Sequence, residues 1–167
     1  MTPQLPVPFS RHQVVPAHLA RERGGISSFA SAHEQKGDWE MPRLYRIACM
    51  MGTVVADLRE ARIPAGESQV EVFLVMGSIE LYVPPGVRVE LSVNTLAAEV
   101  AFRPDPLYRT DPDAPVIRVI GSAYFGSVEV TARLPGESAR DAKRRIKASL
   151  RASSGSASRQ IGRQVLP

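Results

Sequence analysis

The side chains that could do chemistry in this chain are few, and their spacing completes no reaction centre. Serine follows glycine at Gly77-Ser78, Gly121-Ser122 and Gly126-Ser127, yet none stands in a Gly-x-Ser-x-Gly elbow. Each lies inside an alternating apolar pattern with no helix after it, so these pairs read as backbone corners and not as nucleophiles. His12, His18 and His33 have no metal-ligand spacing to a cysteine or carboxylate and are expected to face solvent. Asp105, Asp111 and Asp113 share a proline-rich loop that lacks the turn glycine and distal glutamate of a calcium site. Glu80, Glu99 and Glu129 each follow a corner and are expected to stack on one outward face, where carboxylates keep a strand soluble and discourage edge pairing. Cys49, the single cysteine, alternates with Tyr45, Ile47 and Met51 and reads as a small buried hydrophobe. No glycine-rich stretch leads into a helix, so no phosphate cradle is expected. The sequence therefore assigns no catalytic residue, no metal and no cofactor, and the chain reads as non-enzymatic.

Binding chemistry is concentrated instead at Lys143, Arg144, Arg145 and Lys147. Around them Ala139, Ala142, Ile146 and Leu150 recur at spacings of three and four, which predicts a short basic α-helix over 136–152 with a weak apolar face. Each such cation near an anionic lipid surface contributes ~1 kcal/mol, so the four form a candidate surface for a membrane or an acidic partner. The small polar residues after them predict a disordered tail over 153–167, with an apolar end at 161–167. Charge is divided along the chain: residues 1–26 carry +2, residues 27–136 carry −4, and residues 137–167 carry +6. The high isoelectric point belongs to the tail, so no specific nucleic-acid face is expected on the body.

The elements that would carry these residues are short strands. A phrase recurs at Met51-Gly52-Thr53-Val54, Met76-Gly77-Ser78-Ile79 and Phe125-Gly126-Ser127-Val128, with a glycine-less echo at Leu96-Ala97-Ala98. Apolar residues alternate on both sides of each glycine, but the parity changes across it. Gly52, Gly77 and Gly126 are therefore expected to be structural corners that turn the chain while its apolar face stays inward, with Met51 and Met76 continuing the inward set. Spacings of 20–29 residues between these phrases predict an all-β, β-solenoid-like fold of stacked short strands, a β-helix or rolled sheet, over 27–135. Ser27 to Trp39 reads as a strand and hairpin turning at Lys36-Gly37-Asp38, with Trp39 over one end of the stack. Four prolines within residues 1–16, and no apolar run of seven, predict a mobile N-terminal arm over 1–26 with no signal peptide or membrane helix.

Gly37-Asp38-Trp39, Met51-Gly52-Thr53-Val54, Asp57-Leu58-Arg59-Glu60-Ala61, Val83-Pro84-Pro85-Gly86-Val87-Arg88-Val89 and the run from Gly121 to Val130 together resemble the LiaF-like, cell-wall-active-antibiotics-response C-terminal domain over about 27–133. Ala97-Ala98 replaces the glycine expected at the third corner, and the membrane helices that precede the domain in LiaF are lacking. The resemblance implies a β-solenoid-like fold and a regulatory or protein–protein interaction role in cell-envelope stress, since LiaF restrains a membrane-bound sensor kinase. The expectation is thus a bacterial, cytoplasmic module, peripheral at the inner face of the membrane, whose partner is a membrane or signalling protein or a second copy of itself. The alternative is a self-assembling scaffold of bactofilin-like type, which open stack ends would produce.

Overall fold

The computed structural model describes residues 14–161, with side chains placed as far as 154. In chain order the elements are β1 (Val14–Val15), β2 (Arg23–Ser28), β3 (Ser31–Gln35), β4 (Leu44–Asp57), β5 (Ile63–Pro64), β6 (Glu67–Val83), β7 (Arg88–Arg103), β8 (Val116–Ala132) and α1 (Ala139–Ile161). Strands dominate, as the alternation predicts, and the main sheet is parallel throughout, in the order β2-β4-β6-β8-β7 with β3 beside β2 on the same edge of β4.

The long strands cannot be straight. A 17-residue strand such as β6 would extend ~56 Å at ~3.3 Å per residue. Yet residues 84–87 alone carry the chain from the end of β6 to the start of β7, a strand of the same direction, and reach at most ~18 Å. Both facts hold only if β6 doubles back on itself. Trp39 shows the result for β4: its ring lies 5.1 Å from that of Tyr45 near the strand's start, while its Nε1 donates to Asp57 O, at the strand's end, at 3.0 Å. The two ends of the strand meet at one side chain.

The fold-back occurs at the glycines. Gly52, Gly77 and Gly126 lie opposite one another across β4, β6 and β8. Gly77 and Gly126 have φ of 127° and 124°, and a Cβ on either would overlap the carbonyl oxygen of the preceding glycine in the row. Strand sterics and the close approach of neighbouring backbones thus both demand glycine. Inward residues run Ile47 and Cys49 before the corner and Val54 and Ala56 after it, then Val72 and Leu74 before Ile79 and Leu81 in β6, and Ala123 before Val128 and Val130 in β8. Stacked in register, they form one core, closed at the loops by Met41, Leu58 and Ile63.

Three sequence expectations differ from what is observed. There is no hairpin at Lys36-Gly37-Asp38, because β3 and β4 are parallel, and the residues between them cross over instead of reversing. The arm expected over 1–26 is engaged from residue 14: Val14 and Val15 pair with Ile63 and Pro64, and Arg23 to Ser28 form the edge strand; residues 1–13 lie outside the described residues. Residues 153–161, expected to be disordered, continue α1, where Ser153 and Ser154 hydroxyls turn back onto the Leu150 and Arg151 carbonyls at 2.9 Å and so fit a helix; the rest of the tail, 162–167, is not described. The strands are not in sequence order, since β8 is inserted between β6 and β7.

Candidate functional site

The residue before each corner glycine does not point where simple alternation puts it. In β4, β6 and β8 the inward positions on either side of the corner are five apart, 49 to 54, 74 to 79 and 123 to 128. The change of parity therefore falls before the glycine, and the bulky residue lands on the outside of the bend. Met51, Met76 and Phe125 stand side by side on adjacent strands, 52%, 51% and 49% exposed. Met50, Tyr124 and Leu96 form a second outward row against them, and Phe73 meets Tyr124 edge-on at 6.0 Å between ring centroids. Phe29, also exposed, lies in the break between β2 and β3 at the far edge, level with Met50 in the register. An apolar ridge thus crosses the whole sheet along its corner, on a frame whose glycines fix its course. The expectation that Met51 and Met76 continue the inward set is corrected by this geometry.

The ridge has polar borders. On one side the hydroxyls of Thr53 and Ser78 are 3.0 Å apart, with Ser127 next in the row. On the other lies a shallow hollow lined by Arg46, Glu71, Phe73, Gly121 and Ser122, in which Arg46 Nε donates to Glu71 Oε2 at 2.6 Å. Gly121 is a further corner, with φ of 127° beneath Val72. The bulky residue recurring before glycine was the signal for the ridge in the sequence; counting inward positions by twos through the corner hid it.

The other sequence candidates are dispersed or occupied. Glu80 and Glu129 are adjacent across β6 and β8, but Glu99 pairs with Ser127 and stands off their row. Glu80 accepts from the Tyr82 hydroxyl at 2.7 Å, and Glu129 lies 3.0 Å from Arg103. Among the described residues no three histidine, cysteine or acidic side chains are grouped to hold a metal. Cys49 is buried, and burial pushes its thiol above the ordinary value. His12 lies outside the described residues.

On α1 the four basic residues divide. Lys143, Arg144 and Lys147 are exposed. Arg145 instead turns inward, donating to Asp105 Oδ2 at 2.5 Å and to Glu137 Oε1 at 2.7 Å, with its guanidinium 5.6 Å from the Tyr108 ring centre. It belongs to the joint that holds the helix to the β7–β8 loop. The hydrogen bond from Arg145 holds the Glu137 carboxyl below the usual range, and the Arg145 guanidinium is raised chiefly by that same bond. Ser138 caps the helix, its hydroxyl 2.6 Å from Asp141 Oδ2 and accepting from Asp141 N at 3.3 Å. Arg59, paired with Asp57 at 2.6 Å, donates to the carbonyls of Leu134 and Glu137 and so ties the end of β4 to the helix start. No described helix is long and apolar enough to cross a membrane.

A parallel, strand-dominated domain with an apolar ridge along its fold and a basic helix pinned at one side is the class of protein these features define. The family described as "Cell wall-active antibiotics response LiaF, C-terminal" matches residues 28–110, and over that stretch the chain belongs to it. An uncharacterized protein of Mycobacterium tuberculosis strain CDC 1551 is 26% identical over 97 residues, covering 58% of this chain and 48% of its own length. An uncharacterized protein of strain H37Rv is 25% identical over the same shares. The chain thus spans about half the length of the curated relatives it matches. No solved structure matches it.

Proposed function

We propose that this domain is a non-enzymatic regulatory module of the bacterial response to envelope stress, and that it acts by docking a membrane or signalling protein on its corner ridge. Its body is read as a rolled, solenoid-like wrap whose role is to hold that ridge rigid. The observation that carries the proposal is the row of Met51, Met76 and Phe125, half exposed on a backbone that glycine geometry fixes. Methionine and aromatic side chains at the centre of an exposed patch are the adaptable anchors of protein interfaces. The family supplies the setting, cell-wall-active antibiotics. Lys143, Arg144 and Lys147 are placed to add attraction to an anionic membrane at the cytoplasmic side.

The experiment is made in the native host. Deleting the gene should change the transcriptional response to a cell-wall antibiotic, and a Met76→Glu/Phe125→Glu double variant should reproduce the deletion while melting like wild type. An unchanged response after deletion rejects the setting; a changed response that the double variant fully restores rejects the ridge. A second reading, a self-assembling scaffold, is favoured by the two unpaired edges of the sheet. It requires threads of unlimited length in electron micrographs of the purified protein.

A further inference from the structure

The two borders of the sheet are unlike. At one, β2 and β3 are separated at Phe29 and Ala30, where Ala30 has a φ of 54°, and β3 is exposed from Ser31 to Glu34. At the other, β7 runs unbroken for 16 residues and contains no fully buried side chain. Its inward residues Val89, Leu91, Val93, Ala98, Val100 and Phe102 pack against the core from one side only.

We propose that β7 is a dimerisation edge. Two copies of this chain pair their β7 strands antiparallel about a two-fold axis between Thr95 and Leu96, each closing the open end of the other's core.

The inference rests on register. About that axis Val89 of one copy faces Phe102 of the other, Leu91 faces Val100 and Val93 faces Ala98, so every inward residue meets an inward residue. This is a property of a strand doubled back at its middle: a two-fold axis through the corner exchanges its two arms and leaves the inside inside. Outward, Glu90 meets Ala101 and Ser92 meets Glu99; Arg88 meets Arg103, whose charge Glu129 of its own copy already matches at 3.0 Å. Head-to-tail stacking of β7 on β3 fares worse. Continuing the observed register would set Val100 against His33, Phe102 against Gln35 and Arg103 against Lys36. The continuing contact would also set Val93 against Ile26 and Glu90 against Arg23, but it leaves Val100 and Phe102 on polar residues, whereas the self-complementary contact matches all six inward residues and closes.

Doubled back, the sixteen residues make two arms of ~26 Å that share one core layer ~10 Å deep, so the end of the core presents on the order of 260 Å² per copy, to which the backbone edges of both arms add.

Sedimentation equilibrium of the full chain at tens of micromolar should give twice the 18.2 kDa chain mass, and Val93→Lys should weaken association by at least a hundredfold while circular dichroism stays native. The axis also brings the two Leu96 Cα atoms to ~6 Å, within disulfide reach, so Leu96→Cys should cross-link under mild oxidation and His33→Cys, on the opposite edge, should not. If Val93→Lys fails to fold, the cysteine pair decides alone. A monomeric wild type, filaments, or cross-linking of His33→Cys equal to that of Leu96→Cys would overturn the proposal.

Discussion

Gly77 carries two constraints at once, and they can be separated by comparison with Gly66. Both have positive φ, 127° and 84°, but a Cβ on Gly66 meets open space whereas one on Gly77 overlaps Gly52 O. Gly66→Ala should cost ~1 kcal/mol from backbone strain alone, and Gly77→Ala more than ~3 kcal/mol, because strand spacing must widen as well. Urea titration checks both, and equal losses would show that strain, not contact, governs the corner. Tyr45 supplies the opposite sign. Its ring packs under Trp39, but its buried hydroxyl has no hydrogen-bond partner among the described residues, and burial pushes its pKa up to about 12. Tyr45→Phe should therefore gain ~1 kcal/mol, read as a rise in melting temperature; a loss would mean that the hydroxyl is satisfied in solution. At this scale the sequence showed the corner glycines plainly, since Gly52, Gly77 and Gly126 stand in a recurring phrase. It misplaced Met51 and Met76 because period-two counting has no term for the residues consumed in turning.

Helix α1 tests what one buried pair can hold. Removing Arg145 leaves Asp105, whose side chain is 1% exposed, as an uncompensated charge, which costs ~2–4 kcal/mol at the joint. Arg145→Ala should thus expose the helix amides to hydrogen exchange while the strand amides stay protected, and Lys143→Ala should leave both protected. Acid acts on the same joint. Glu137 has its pKa lowered in the folded chain, so it contributes stability above its unfolded value near ~4.3, and that contribution disappears as pH falls through the lower folded value. The far-ultraviolet helix signal should fall across that acid window in wild type and lose that step in Glu137→Gln. The outward cations make a separate prediction. Co-sedimentation with anionic vesicles should fall when Lys143, Arg144 and Lys147 become alanine and should fade as salt shortens the ~10 Å screening length. Binding to neutral vesicles in high salt would reject the electrostatic account. The sequence placed four cations on this helix but not the inward turn of Arg145, because its acceptors lie 8 and 40 residues away and share no local pattern with it.

For the whole molecule, strand content and the rows of corners could be read from alternation and spacing, while the order of the strands could not. Residues 84–87 join β6 to β7 directly, yet the two are not neighbours: β7 passes over an empty place that β8 later fills. No side chain in β7 announces this, because Ala98 fits opposite Gly126 without sharing its positive φ. The insertion has a consequence in time. Until residues 116–132 leave the ribosome, β6 has a bare edge and β7 has no partner at all. At ~5–20 residues per second the nascent chain carries sixteen unpaired residues of β7 for a second or more, with Leu91, Val93, Leu96 and Phe102 open to any passing strand. A fragment ending at residue 110, where the family match stops, would be held in that condition permanently, and it should be found insoluble or bound to chaperones even though it contains the whole matched stretch. The last strand made is the one on which both of its neighbours wait.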